Sequence, residues 1–257
     1  MHGDIRNFVV LTHEKYYAPT NPRCGKRHTM DLRKQTMERR GMNTAHSADS
    51  KQEARSKAIA ARAAIPDEMR IVKSQAIAKK LSSLLEESHR AYVRSIDRPD
   101  LTSSASFCVA VYSAFPKEVD LTPFIKDAYA SHVRVAFPCM TKTGQGSEMI
   151  MRSVSHAAWL TEEAPFVMSP IKSFALDDSR VQPFKVVAPE EIDMIVVPMV
   201  AYDETHNRLG YGGGNYDRFL PRLKDSCVIV GVAFVEQHLP GIPRESTDIP
   251  LKAIYTA

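Results

Sequence analysis

The sequence predicts an α/β fold: a mostly parallel sheet flanked by helices, a three-layer sandwich forming a single domain. Three observations carry this expectation. Short apolar runs at 107–112, 133–137, 192–197 and 228–234 have the length and composition of strands buried on both faces. Segments with apolar residues at helical spacing separate several of them, an alternation that implies parallel pairing through right-handed crossovers. The run from Asn207 to Phe219 places four glycines in five positions between one such strand and an amphipathic segment.

Taken in order, the pattern turns helical at Asp49-Ser50, either of which can cap the start, and Ala54, Ala58 and Ala61 share one face. Pro66 ends this helix. A second helix is expected from Pro66 to about Glu87, with Met69, Val72, Ile77, Leu81 and Leu84 or Leu85 facing the core. Residues 88–105 are polar and contain Pro99, so they read as a long loop. The strand at 107–112 leads through Pro116 to a helix capped by Asp120 or Thr122 and reaching Ala130, then to the strand at 133–137. Residues 141–190 are less regular, with a hairpin expected around Gly144 to Gly146 and an exposed proline-rich loop. The strand at 192–197, the glycine loop, a helix at 216–224 and the strand at 228–234 complete the pattern.

Composition excludes several classes. With 257 residues and 44% hydrophobic residues the chain can bury a substantial core, and its longest apolar runs are far too short to span a bilayer. The four cysteines, Cys24, Cys108, Cys139 and Cys227, have no zinc spacing, and reduced, buried thiols of a cytoplasmic protein are expected. Residues 1–50 hold nine basic against five acidic residues, so they carry the whole formal charge of +4 and the remainder is neutral. A general nucleic-acid partner is therefore not expected for the domain, because a basic face is what supplies such affinity. The extension 1–50 reads as a disordered basic segment preceding a domain at 51–257. An organellar targeting peptide, and translation starting at Met30 or Met42, stay open as alternatives.

The glycine run carries the chemistry. Backbone stripped of side chains beside a helix start can wrap an anion, most usefully a phosphate. The P-loop pattern fails because Asn215 and Tyr216 follow Gly214, and the dinucleotide fingerprint fails because Asn215 stands where its third glycine belongs. Arg208 before the loop can pair with phosphate oxygens, and Asp217 after it can hold the magnesium that accompanies a nucleotide. Lys51 and Arg55, four apart on a helix, can reach one anion together. No serine or cysteine sits in a nucleophile motif, and His132, His156, His206 and His238 form no metal-like spacing. Trp159 reads as a packing residue.

Arg-Leu-Gly-Tyr-Gly-Gly-Gly followed by Tyr-Asp-Arg-Phe resembles the signature of the 5-formyltetrahydrofolate cyclo-ligase family, also called 5,10-methenyltetrahydrofolate synthetases. Three further stretches fit in the same order: the basic helix from Lys51, the segment Val111 to Asp120, and the stretch from Gly231 to Leu251. The resemblance covers about residues 51–255. It implies ATP- and magnesium-dependent conversion of 5-formyltetrahydrofolate to 5,10-methenyltetrahydrofolate, by attack of the formyl oxygen on the γ-phosphate and closure of the ring by nitrogen 10. It implies that Lys51, Arg55, Arg208, Gly210, Tyr211, Gly212, Gly213, Gly214, Asn215 and Tyr216 bind ATP. Ser113 and Glu118 would bind the folate together with Tyr211, Gly212, Gly213, Gly214 and Asn215, and Asp217 and Asp248 would hold magnesium. Relatives commonly carry an aromatic residue at the position of Asn215, so substrate contact there departs from the pattern. The expected partners are small molecules only, and the expected form is a monomer. Two rivals remain: a related ATP-using enzyme of the same fold acting on another small substrate, for which Asn215 speaks, and a noncatalytic RNA-associated protein using the basic extension.

Overall fold

The computed structural model describes residues 50–95, 106–245 and 248–257. The expected disorder of residues 1–49, the alternative cap at Asp49 and the expected loop over 96–105 lie outside the described residues. Helix α1 occupies 50–63, and its alanines allow close packing: Ala58 is fully buried among Val200, Leu209 and Leu239. It stops before Pro66, which has no N–H to continue the ladder. Helix α2 (Asp67–Ser95) follows, with Asp67 and Glu68 in its first turn.

Helix α2 differs from expectation in two ways. Its buried stripe is Ser74, Ile77, Ala78, Leu81 and Leu85, whereas Met69 and Val72 are 47% and 57% exposed. The expected core role of those two is wrong, because the buried stripe of the helix begins only at Ser74. The helix also runs eight residues past Glu87, through the segment read as loop. His89 and Tyr92, three apart on one face, both contact the Phe107 ring, with centroids at 5.4 and 5.5 Å. A ring from outside the helix thus holds polar sequence helical.

Strand β1 (Cys108–Ala110), helix α3 (Thr122–Ala130) and strand β2 (Arg134–Thr143) form the expected parallel unit, with Val109 opposite Val135. Thr122 N donates to Asp120 Oδ1 at 2.9 Å, so Asp120 braces the start of α3. The hairpin at Gly144 to Gly146 joins β2 to antiparallel β3 (Gly146–Val154). Beyond it the expected proline-rich loop contains short elements: α4 (His156–Leu160), α5 (Pro165–Met168), β4 (Ser173–Phe174) and β5 (Val186–Val187). Trp159 packs beside Tyr129 and His156, as a packing residue should. Then come β6 (Met194–Pro198), the small hairpin β7 (Ala201–Tyr202) and β8 (Arg208–Leu209), α6 (Asn215–Phe219), β9 (Val228–Ala233) and β10 (Ala253–Thr256). The helix expected over 216–224 is only five residues long and passes into a 3-10 turn at Leu220–Arg222, where Pro221 withholds a donor.

The sheet order is β10-β9-β6-β1-β2-β3-β5, with β4 also beside β2. From β10 to β2 every neighbour is parallel. Both faces are buried: Val109, Met194 and Val230 join the core under α2 and α3, while Cys108, Ile195 and Ala233 join a second core with Phe219 and Leu220. This is the expected three-layer α/β arrangement. Connections leave β1 toward β2 on one side and, later, β6 lies on its other side, which makes the β1/β6 boundary a topological switch point. Gly231 permits close approach nearby: a Cβ there would collide with Met199 and lie 2.6 Å from Leu251 Cδ1.

Candidate active site

At the carboxyl ends of β1 and β6 and beside the middle of β2 the chain forms a cavity of about 930 Å³, a size suited to a small-molecule pair. The ends of β1 and β6 supply Tyr112, Ser113, Pro198 and Met199, and the middle of β2 supplies Pro138 and Met140. Helix α1 supplies Lys51 and Arg55, and the glycine loop closes the space between them. All fourteen residues singled out from the sequence line this one cavity. They come from segments almost two hundred positions apart.

The glycine loop is shaped by two of its glycines. Gly212 and Gly214 have φ of 102° and 61°, backbone that disfavours any side chain. A Cβ on Gly214 would also meet Arg218 Nη1 at 2.9 Å. A Cβ on Gly210 would meet nothing within 4 Å, whereas one on Gly213 would meet Asn215 Nδ2 at 3.5 Å. Helix α6 is too short for a large macrodipole, so the loop amides, rather than the helix expected over 216–224, are the part of this segment suited to an anion.

One side of the cavity is ionic. Lys51, only 7% exposed, donates to Asp248 Oδ2 at 2.8 Å and pairs with Glu245 Oε1 at 3.1 Å. Burial alone would pull the lysine pKa down, but Asp248 and Glu245 outweigh it and hold it above the ordinary range. For Asp248 burial pushes upward, and Lys51 with the Glu245 amide overcomes it, leaving the carboxyl below its usual range. Arg208 is buried and donates through both Nη1 and Nη2 to Asp217 Oδ1, at 3.1 and 2.8 Å. Its Nε is buried without a partner among the described residues. Arg55 Nε holds the Gly210 carbonyl at 2.9 Å and so fixes the entry to the loop.

The other side is apolar with one carboxylate. Glu118 follows Lys117, whose φ is 71°, in a tight turn where Phe115 N donates to Glu118 Oε2 at 2.9 Å. The Tyr211 hydroxyl donates to Glu118 Oε1 at 2.7 Å, and the Tyr211 ring meets Phe115 edge-on. Burial raises the Glu118 pKa above the usual carboxylate range, with the Phe115 amide, Tyr211 and Arg62 opposing. Ser113 Oγ is buried without a partner among the described residues. Asn215 is oriented by Arg218, which donates to its Oδ1 at 2.8 Å, and its Nδ2 lies 3.7 Å from Met140 Sδ. Tyr216 is half-buried at the cavity wall, its phenol pushed up by burial.

Sequence reasoning missed Arg62, Arg218, Glu245 and the methionine wall of Met140 and Met149. Arg62 had a usable signal, since it falls seven residues after Arg55 on the same face of α1. Glu245 had a weaker one, three residues before Asp248, whose Oδ2 accepts from Glu245 N at 2.7 Å.

The cavity's rear support comes from Asp203. Its carboxylate accepts from Thr205, Asn207 and Ile242 amides and from the Asn207 side chain, which fixes the turn before Arg208. Among the described residues no helix is long and apolar enough to cross a membrane, and Cys108, Cys139 and Cys227 are buried free thiols.

Comparisons with known proteins agree with this architecture. The solved 5,10-methenyltetrahydrofolate synthetase of Mycoplasma pneumoniae superposes with a TM-score of 0.55 at 19% identity, over 79% of this chain and 96% of that one. The Aquifex aeolicus 5,10-methenyltetrahydrofolate synthetase gives 0.50 at 28% identity, over 80% and 89%. The 5-formyltetrahydrofolate cyclo-ligase of Escherichia coli K12 is 30% identical over 149 residues, 58% of this chain and 76% of its own length. The Saccharomyces cerevisiae enzyme of the same name is 29% identical over 169 residues, 60% and 77%. The family model for 5-formyltetrahydrofolate cyclo-ligases matches residues 47–257. Most of the chain is covered by that match, and the chain belongs to the 5-formyltetrahydrofolate cyclo-ligase family.

Proposed function

We propose that this protein converts 5-formyltetrahydrofolate to 5,10-methenyltetrahydrofolate while ATP becomes ADP and phosphate, acting as a monomer in the cytoplasm. The observation that carries the reading is the single cavity in which a side-chain-free loop, flanked by Lys51, Arg55 and Arg208, faces a buried carboxylate across an apolar floor.

In this reading the triphosphate lies along the glycine loop. Lys51, Arg208 and the loop amides neutralise the charge that builds on the transferred phosphoryl group, while Arg55 holds the loop's entry in place. Glu118 accepts the pterin's neighbouring N–H groups, which a carboxylate suits, and Ser113 Oγ gains the partner it lacks. The formyl oxygen is thereby aligned with the γ-phosphorus and displaces ADP. Nitrogen 10 then attacks the activated carbon, loses its proton and closes the ring as phosphate leaves with the former formyl oxygen. The protein supplies alignment and charge stabilisation, consistent with the lack of any nucleophile motif.

Magnesium fits the ionic side. Among the described residues Asp217 uses only Oδ1 for Arg208, and Asp248 only Oδ2 for Lys51 and the Glu245 amide. One oxygen of each remains for a cation, and no cluster of three or more histidine, cysteine or acidic ligands occurs among the described residues. Two carboxylates with phosphate oxygens and water match the preference of magnesium. When bound, it would neutralise β- and γ-phosphate charge.

The test is to mix purified protein with 5-formyltetrahydrofolate, ATP and magnesium and follow the absorbance of the methenyl product. Product with one ADP per ring closed, abolished by omitting ATP or chelating magnesium, is expected. Absence of product with all three present would remove the reading.

A further inference from the structure

We infer that Arg62 is a positioning residue for the folate end of the cavity, fixing Glu118 as an oriented carboxylate and holding the Tyr211 hydroxyl against it. The inference rests on the reading of Glu118 as the pterin-binding group. Arg62 is only 6% exposed. Its Nη2 donates to the Tyr211 hydroxyl at 2.7 Å, and its Nη1 lies 3.5 Å from Glu118 Oε1. The Tyr211 hydroxyl donates onward to that same Oε1. The guanidinium also sits 5.8 Å from the centroid of the Tyr211 ring.

A buried arginine is costly unless a carboxylate answers it, and here the two charges meet inside the wall of the proposed substrate cavity. Glu118 is thus held by three elements at once: its own turn through Phe115 N, the glycine loop through Tyr211, and α1 through Arg62. Tyr112, Tyr211 and Tyr216 are the other titratable groups facing it. Burial raises all three phenols, Tyr211 to about 12, so they are neutral near pH 7 and Arg62 is the cation of the set. Lys117, next in sequence, turns its ammonium to the Ala63 carbonyl instead.

Two consequences follow for binding. Without Arg62, a carboxylate already disfavoured by burial would take up a proton at higher pH and stop accepting two N–H groups. When a pterin N–H takes Oε1, the Tyr211 hydroxyl keeps Arg62 as its donor and can turn its proton to the ligand. The exchange then leaves no buried polar atom stranded.

The test compares wild type, Arg62→Met and Arg62→Lys in the full reaction, with thermal denaturation of each. Arg62→Met is expected to raise the KM for 5-formyltetrahydrofolate about tenfold or more, the worth of one charged hydrogen-bond network, while the KM for ATP stays unchanged. The acid limb of its kcat/KM for folate should move up by about one to two pH units, as expected when a neighbouring cation is removed. Arg62→Lys should return the limb toward wild type yet keep a raised folate KM, because one ammonium cannot serve both partners in the same fork geometry. If Arg62→Met lowers only the melting temperature and kcat, with folate KM and pH limb as in wild type, Arg62 is structural and the proposal is overturned. A wild type that closes no ring would instead overturn the proposed function, taking this inference with it.

Discussion

Replacing Arg208 with alanine is expected to lower kcat by about 10²–10³-fold, the usual cost of deleting one preorganised donor to developing charge. Arg208 stands at the start of the glycine loop, buried, with both Nη atoms on Asp217 and its Nε unpartnered among the described residues. In the proposed reading, a buried guanidinium with spare N–H capacity at the edge of the cavity would gain its missing partner when the triphosphate arrives. Its loss removes that interaction and also leaves Asp217 without its cation, so the carboxylate proposed to hold magnesium loses its orientation. Arg208→Lys should recover only part of the rate, since an ammonium cannot reproduce the two-pronged contact. The measurement is kcat at saturation in both substrates, beside a melting curve showing the variant folded. Turnover equal to wild type in Arg208→Ala would remove Arg208 from the account. Lys51→Ala should behave similarly, because its ammonium holds the Asp248 side of the same ionic group.

Glu118→Gln should act on the other substrate. The amide keeps the shape but puts a donor where the Tyr211 hydroxyl or the Phe115 amide needs an acceptor. Losing one charged hydrogen bond costs about 1.5–3 kcal/mol, so the KM for 5-formyltetrahydrofolate should rise roughly 10- to 150-fold while the KM for ATP holds. There is also a pH signature. Burial raises the Glu118 pKa, so its accepting form is present above that value and is lost as pH falls through it. Wild-type kcat/KM for folate should therefore decline on the acid side, above the ordinary carboxylate range. In Glu118→Gln that limb should vanish and the remaining activity run flat. A glutamine variant with wild-type folate KM and an unchanged acid limb would show that the pterin binds elsewhere.

How far these residues were legible depends on the range of the interactions that place them. The glycine loop announced itself because its signal is local: two positive-φ glycines and the flanking charges lie within a dozen residues. Strands β1, β6 and β9 were legible because burial on both faces writes an unbroken apolar run. Helix α2 was cut short in the sequence reading because the contact that sustains its last turns, Phe107 against His89 and Tyr92, arrives from the next strand. Strands β4, β5, β7 and β8 are two residues each and exist through pairing, so no periodicity could mark them. Arg62 was overlooked for a similar reason: Tyr211, its hydrogen-bond partner, is 149 positions away. The Asn215 side chain, where the family resemblance leads one to expect an aromatic residue, is held locally between Arg218 and Met140.

The central claim is that one cavity sets the formyl oxygen of the folate against the terminal phosphorus of a nucleotide lying on the glycine loop. It is tested most directly by preparing 5-formyltetrahydrofolate with ¹⁸O in the formyl group, letting the enzyme turn it over with unlabelled ATP, and analysing the phosphate by mass spectrometry. The account predicts that each phosphate released carries the labelled oxygen. Unlabelled phosphate, with the ¹⁸O recovered in water, would contradict it.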